Sequence, residues 1–155
     1  MLAALEQAQR ARELEEVPIG AVVVRGDEIV GTGYNRRETG KNALLHAELA
    51  AIDEACRKLG GWRLWQCELF VTLEPCPMCA GAIINSRIRR VVYGCNDSKA
   101  GSCRSVINLF ELPYNHKPEC IGGVLEQECS AMLSDFFKAL RERKKEEKEK
   151  RLSGE

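Results

Sequence analysis

The sequence of 155 residues lacks any hydrophobic run long enough to cross a membrane. Its longest apolar stretch, residues 19–24, is interrupted by Gly20 and has the length of a strand. The first twelve residues also lack a basic segment followed by an apolar one, so we expect no signal peptide, a cytoplasmic location and no membrane partner. Net charge is absent as well, since 23 basic residues balance 23 acidic ones. This excludes a globally basic nucleic-acid-binding protein but leaves room for a local basic surface.

Histidine is scarce, with two residues, whereas cysteine is abundant, with eight. A chain of this length can bury a core without disulfides, and the expected compartment keeps thiols reduced. Six cysteines are therefore interpreted as free thiols that pack as small buried hydrophobes. These are Cys56, Cys67, Cys95, Cys103, Cys120 and Cys129. Cys76 and Cys79 remain to be explained by chemistry.

Hydrophobic periodicity predicts helices and strands in the order α-β-β-α-β-α-β-(β)-α. The predicted helices are residues 2–14, 46–59, 75–87 and 129–140, with one or two helical turns at 106–112; the predicted strands are 19–24, 28–33, 67–73, 90–93 and 120–125. This order favours a three-layer α/β/α domain with a mixed sheet. We expect the domain to span residues 1–143, followed by a charged, partly disordered tail at 144–155. Trp62 and Trp65 are expected to pack in the core.

The pair Cys76-x-x-Cys79 lies at the predicted start of a helix. Residues three apart on a helix share one face, and the helix N-terminus favours the thiolate form. Taken alone, the pair fits a redox site, half of a four-cysteine structural zinc site, or two ligands of a catalytic zinc. A four-cysteine structural zinc site requires a second pair of cysteines close in sequence. The next cysteines, Cys95 and Cys103, are too far apart in sequence to form one.

One of the two histidines, His46, begins the other central helix and is followed by Glu48. A set of one histidine and two cysteines leaves the fourth tetrahedral position of a zinc ion open for water, which is typical of catalytic zinc. Glu48 lies two residues from a predicted ligand and is placed to act as a general base. We therefore predict one zinc ion per chain, held by His46, Cys76 and Cys79.

His46-Ala47-Glu48 and Pro75-Cys76-Pro77-Met78-Cys79 together match the signature of zinc-dependent deaminases. Further matching stretches are Val17-Pro18-Ile19-Gly20-Ala21-Val22, Tyr34-Asn35-Arg36, Val71-Thr72-Leu73-Glu74, Asp97-Ser98-Lys99, Asn115-His116 and Leu133-Ser134-Asp135-Phe136-Phe137. On these residues, positions 2–143 resemble bacterial tRNA adenosine deaminases of the cytidine deaminase superfamily.

The resemblance implies a three-layer cytidine-deaminase-like fold with a five-stranded mixed sheet, and a homodimer. It implies a hydrolase that converts adenosine to inosine at the wobble position of a tRNA anticodon loop. By the same resemblance a zinc-activated water attacks C6 of adenine, while Glu48 takes up and delivers the protons. The expected contacts with the anticodon stem-loop are Val17, Asn35, Ala47, Asp97, Phe137, Lys138 and Arg141.

Other interpretations stay open at this point. The same zinc site could serve a free-base or nucleoside deaminase of the guanine or cytosine type. A non-catalytic, zinc-stabilised binding module is a third possibility, although it would not need Glu48. The basic residues at 141–151 could be a solvated helix end with Glu–Lys pairs. Leu45 and Arg104 depart from the family pattern of small residues and leave the shape of the nucleotide pocket undecided.

Overall fold

The structure, a computed structural model, describes residues 1–154 and contains the predicted elements in the predicted order. The helices are α1 (Leu2–Glu13), α2 (Ala47–Leu59), α3 (Pro77–Asn85) and α4 (Glu126–Ser153); the strands are β1 (Gly20–Arg25), β2 (Glu28–Tyr34), β3 (Cys67–Leu73), β4 (Arg90–Cys95) and β5 (Glu119–Ile121), with a short 3-10 turn at Leu109–Glu111. Among residues 1–154, none of the helices is both long enough and apolar enough to cross a bilayer.

The five strands form one mixed sheet in the order β2-β1-β3-β4-β5. β1 is antiparallel to both β2 and β3, whereas β3, β4 and β5 are parallel. α3 connects β3 to β4, as a parallel pair requires a crossover. The predicted α/β/α fold of the cytidine-deaminase type with a mixed five-stranded sheet is confirmed.

Glycines in the β1–β2 hairpin let two helices approach the sheet closely. A Cβ on Gly31 would lie 2.1 Å from the carbonyl oxygen of Ala51 in α2, and one on Gly33 would lie 2.2 Å from that of Ala47. On the other face, Gly20 meets α1 in the same way, at the carbonyl oxygen of Ala4. The consequence for function is that the first turn of α2 is held tightly against the sheet.

Gly31→Ala is expected to lower the free energy of unfolding by about 1–3 kcal/mol, because the added methyl group must displace the α2 backbone. Gly61→Ala is the matched control, since a Cβ there meets no atom within 4 Å and the change should stay within about 0.5 kcal/mol. Urea unfolding of the three proteins measures both effects. Equal unfolding midpoints for Gly31→Ala and the unmodified chain would contradict the close packing.

Several details differ from the sequence predictions. α4 continues to Ser153, past its predicted end at residue 140, because the following residues are good helix formers and include an i,i+4 pair, Lys145–Glu149. The expected partial disorder of residues 144–155 stays a prediction. The proposed domain boundary after residue 143 stays a prediction, and position 155 lies outside the described residues.

The expectation that the two tryptophans pack in the core is wrong. Trp62 and Trp65 are 51% and 61% exposed, and the buried residue between them is Leu64. All eight cysteines are free thiols, of which Cys56, Cys76 and Cys120 are only partly buried.

Candidate active site

The N-termini of α2 and α3 meet at the carboxyl end of β3. His46 is the N-cap residue of α2, and Cys76 is the N-cap residue of α3. Neither side chain caps its own helix, so both remain available for other contacts. Cys79 lies in the first turn of α3, after Pro77, which is well suited to a first helical turn. The structure therefore brings together the three residues that the sequence predicted as metal ligands.

The distances among these three side chains suit a zinc ion. Nδ1 of His46 lies 3.6 Å from the Sγ atom of Cys76 and 3.6 Å from that of Cys79. A tetrahedral zinc with Zn–S bonds of about 2.3 Å and a Zn–N bond of about 2.0–2.1 Å separates nitrogen and sulfur by about 3.6 Å. The three ligand atoms all lie within 4.8 Å of one another. The donor set and its spacing thus fit zinc with one coordination position left over.

The titration behaviour of the three ligands reflects their mutual hydrogen bonds. The hydrogen bond from Cys79 lowers the pKa of Cys76 to about 4, while the same contact raises the pKa of Cys79. The hydrogen bond with Cys76 also raises the pKa of His46. A divalent cation would take the place of the shared protons, since metal-bound thiols are deprotonated and metal-bound histidine is neutral.

Glu48 lies in the first turn of α2 and is 4% exposed. Burial raises the pKa of its carboxyl group to about 7, because the charged form is poorly solvated there. The side chain nevertheless faces a cavity that His46 and Cys76 also line. A buried carboxyl group beside a metal-binding cluster is the arrangement expected of a group that exchanges protons with a bound substrate.

A cavity of about 530 Å³ opens over this cluster. Five residues predicted to bind substrate line it: Val17, Asn35, Ala47, Asp97 and Phe137. Phe137 is 40% exposed and stands edge-on to Phe136, which is 7% exposed and belongs to the core. The two aromatic residues therefore divide between lining the cavity and packing the interior.

Two of the polar residues in the cavity also organise their own loops. The Asn35 side-chain amide donates to the Val17 carbonyl oxygen at 3.2 Å, and its Oδ1 accepts from the Arg37 N–H. Asp97 Oδ1 accepts from the N–H groups of Lys99 and Ala100. Such contacts are typical of turn and cap residues, and both side chains also line the cavity. Their roles in substrate binding stay predictions.

A second cavity of about 450 Å³ adjoins the first, because Asn96, Lys99, Leu133 and Phe137 line both. It is bordered by two cationic side chains, Lys99 and Arg141, and by the hydroxyl groups of Ser130 and Ser134. Within residues 1–154, none of its lining residues is acidic. Lys138, the other predicted basic contact on α4, lines neither cavity.

The two departures from the family pattern do not reach the cavity. Leu45 packs toward Gly40, where an added Cβ would lie 2.2 Å from the Leu45 Cδ1 atom. Arg104 is exposed, and neither residue is part of the cavity lining. The remaining histidine, His116, contacts the Ile88 carbonyl oxygen at 2.7 Å through Nε2.

One buried residue of the site was not assigned a role from the sequence. Glu74 follows β3, lines the main cavity and is 2% exposed. The available signal was an acidic residue placed between a hydrophobic strand and the Pro75-Cys76 ligand segment. A residue at such a position is expected to be buried, and a buried carboxylate is costly unless hydrogen bonds or an ion pair compensate its charge.

Comparison with known proteins agrees with this geometry. The family model for MafB19-like deaminases matches residues 1–141. A tRNA-specific adenosine deaminase of Bacillus subtilis is 51% identical over 146 residues, which cover 94% of this chain and 91% of the relative. A solved structure from a study of A-to-I editing by tRNA:A34 deaminases superimposes with a TM-score of 0.83 at 42% identity, covering 86% of this chain and 97% of the other. A guanine deaminase from Nitrosomonas europaea gives a TM-score of 0.71 at 25% identity over 86% of this chain and 80% of the other.

Fold and site together define a deaminase of the cytidine deaminase superfamily. Within that class, the chain belongs to the family of bacterial tRNA-specific adenosine deaminases.

Proposed function

We propose that this protein hydrolyses adenosine to inosine at the wobble position of a tRNA anticodon loop, releasing ammonia. The observation that carries the chemistry is the His46–Cys76–Cys79 cluster, whose nitrogen–sulfur separations of 3.6 Å fit zinc, with Glu48 buried beside it. The relatives at 51% and 42% identity, described as tRNA adenosine deaminases and tRNA:A34 deaminases, support the choice of substrate.

Zinc held by His46, Cys76 and Cys79 would act as a Lewis acid that makes water nucleophilic near neutral pH. The protein's own contribution is proton transfer by Glu48. This carboxylate takes a proton from the attacking water, delivers one to the purine ring, and passes the next to the departing amino group. Because Glu48 is almost fully buried, these protons move between the carboxyl group and the substrate and are not lost to bulk solvent.

The main cavity receives the target base after it has left the stack of the anticodon loop. Phe137 offers an apolar face to the base, and Asn35 offers a side-chain amide. The N–H group of Ala47 is among the first amides of α2, which have no partner within the helix and can donate to the substrate. Val17, which precedes β1, and Asp97, which follows β4, complete the contact set.

The second candidate function is that of a free-base deaminase of the guanine type. The structural similarity to the guanine deaminase of Nitrosomonas europaea, at 25% identity, supports it. The basic second cavity favours RNA, because a free base carries no phosphate for Lys99 and Arg141 to contact. The test incubates the protein with an anticodon stem-loop bearing a wobble adenosine, and with free adenosine, guanine and cytosine. Inosine in the stem-loop alone is the expected result. Turnover of a free base without turnover of the stem-loop would refute the proposal.

Arg141→Ala is expected to weaken stem-loop binding severalfold and to reduce the slope of log K against log salt by about 0.7–1, the effect of losing one phosphate contact. Lys148→Ala is the matched control, since it removes the same charge from the same helix outside both cavities. Binding titrations at four or more salt concentrations give both slopes. Identical slopes for the two variants would contradict a phosphate contact at Arg141.

We further propose that the protein works in the cytoplasm as a homodimer on tRNA. Exposed apolar side chains at Val106 and Ile107, 59% and 43% exposed, support a self-association surface. Sedimentation equilibrium at micromolar concentration should give twice the chain mass of 17.3 kDa. A monomer at that concentration would refute the proposed dimer. It would not bear on the deaminase activity, which the stem-loop assay tests separately.

A further inference from the structure

One wall of the main cavity is a loop that contains no helix or strand of the sheet. This loop, residues 96–105, follows β4 and is called the wall loop below. Five consecutive residues of the wall loop line the cavity: Asn96, Asp97, Ser98, Lys99 and Ala100. Lys99 also borders the second cavity. The position of this loop therefore shapes both places where the substrate is proposed to bind.

The Glu74 carboxylate holds the wall loop through four hydrogen bonds. Its Oε2 accepts from the Asp97 N–H at 2.9 Å and from the Ser105 hydroxyl at 2.5 Å. Its Oε1 accepts from the Ser105 N–H at 2.8 Å and from the Cys103 N–H at 3.3 Å. All four donors belong to the wall loop, and they come from both of its ends. One carboxylate thus closes the loop on itself.

Two further features hold the wall loop close to residues 74–75. The Ser102 N–H donates to the Pro75 carbonyl oxygen at 2.8 Å, next to the metal-ligating Cys76. A Cβ on Gly101 would lie 2.3 Å from Glu74 Oε2 and 2.5 Å from the Asp97 carbonyl oxygen. Glycine is therefore required at this position for the loop to approach the carboxylate so closely. The segment that leads into the zinc ligands and the cavity wall form one packed unit.

The Glu74 carboxylate is satisfied by hydrogen bonds and not by an ion pair. Among the ion pairs of residues 1–154, none involves Glu74, although the side chain is 2% exposed. A buried carboxylate without an ion-pair partner is costly unless its hydrogen bonds are complete, so its stability depends on the donors of the wall loop.

We propose that Glu74 is a positioning residue for substrate binding: its carboxylate holds the wall loop in the conformation that receives the target nucleotide. The inference rests on the proposed function for the identity of the substrate. Glu74 exchanges no proton with the substrate in this scheme and does not bind zinc. Its effect reaches the substrate through Asp97, Ser98 and Lys99.

The test replaces Glu74 with glutamine, which keeps the shape but points an amide NH₂ group at backbone donors. Glu74→Gln should raise KM for the anticodon stem-loop about tenfold, while kcat stays within about threefold and zinc content stays at one per chain. Glu54→Gln is the matched control, because Glu54 also accepts from a backbone N–H and a hydroxyl group, both of Thr32, away from the cavity. This control should leave KM unchanged.

A second readout does not depend on turnover. The amides of Asp97, Cys103 and Ser105 should exchange hydrogen faster in Glu74→Gln than in the unmodified protein, while amides of β3 and β4 keep their protection. If the unmodified protein fails to deaminate the stem-loop but this exchange pattern is seen, the proposed function fails and the holding of the loop by Glu74 stands. Unchanged exchange at these three amides overturns the inference.

The kinetic outcomes are equally decisive. A fall in kcat at constant KM would make Glu74 part of the proton transfer, and loss of zinc would make it a support of the metal ligands; both overturn the proposal. Where Glu74→Gln fails to fold, Ser105→Ala removes one donor and leaves the carboxylate in place. It should raise KM about threefold at unchanged kcat, and an unchanged KM refutes the inference.

Discussion

Glu48→Gln is expected to reduce deamination of a wobble-adenosine stem-loop by about 1,000-fold while the protein keeps one zinc ion per chain. Glutamine has the shape of glutamate but cannot take up a proton, and the residue is 4% exposed, so solvent cannot readily replace it. Single-turnover assays together with metal analysis measure the two quantities separately. RNA affinity should change little, because the substitution alters no basic residue.

Glu54→Gln on the same helix is the control, since its side chain lies on the exposed part of α2 and contacts Thr32. Its rate should equal that of the unmodified protein. If Glu48→Gln kept full turnover with zinc bound, Glu48 would not carry the protons. If it lost zinc, its role would be inseparable from the metal site.

Cys79→Ser is expected to lower bound zinc from one per chain to below about one tenth, and to abolish activity with it. A serine hydroxyl stays protonated and is a poor ligand, and the position is fully buried, so no solvent-exposed side chain can replace the missing thiolate. Thermal unfolding adds a second measure. The melting temperature of the unmodified chain should rise with added zinc, whereas that of Cys79→Ser should not.

Cys67→Ser controls for the loss of a buried thiol, because Cys67 is 1% exposed and begins β3, at the opposite end of that strand from the zinc ligands. This variant should keep its zinc and lose only about 1 kcal/mol of stability. Retention of full zinc by Cys79→Ser would show that Cys79 is not a ligand.

The sequence was most informative where residue type and position agree. Glycines, prolines and alternating apolar residues defined most elements to within a few residues, as for β3, predicted and observed at Cys67–Leu73. The exception is α4, which runs to Ser153 although its predicted end was residue 140. The zinc cluster could be predicted because histidine is rare in the chain and each predicted ligand stands at a helix start. His46 and Cys76 lie close together because the N-termini of α2 and α3 meet, and this depends on the order of strands in the sheet. The local sequence pattern only implied that order.

Other features depend on contacts that no local pattern encodes. Trp62 is apolar enough for the core, yet it lies under the guanidinium group of Arg63 at 4.1 Å and remains half exposed. The importance of Glu74 comes from donors up to 31 residues away, which only the folded loop brings to it. The second cavity combines residues of α4 with residues that follow β4, so its basic character could not be predicted from either segment alone.

The sequence separation of the metal ligands has a consequence for the order of folding. His46 lies 30 residues before Cys76 and 33 before Cys79, and β3 stands between the two helices that carry them. In an unfolded chain, Cys76 and Cys79 are the two cysteines nearest in sequence, whereas the histidine must first be brought across a long loop at an entropic cost. Tight zinc binding therefore requires β3 to be inserted into the sheet, and metal uptake during refolding would report on the moment at which the sheet is assembled.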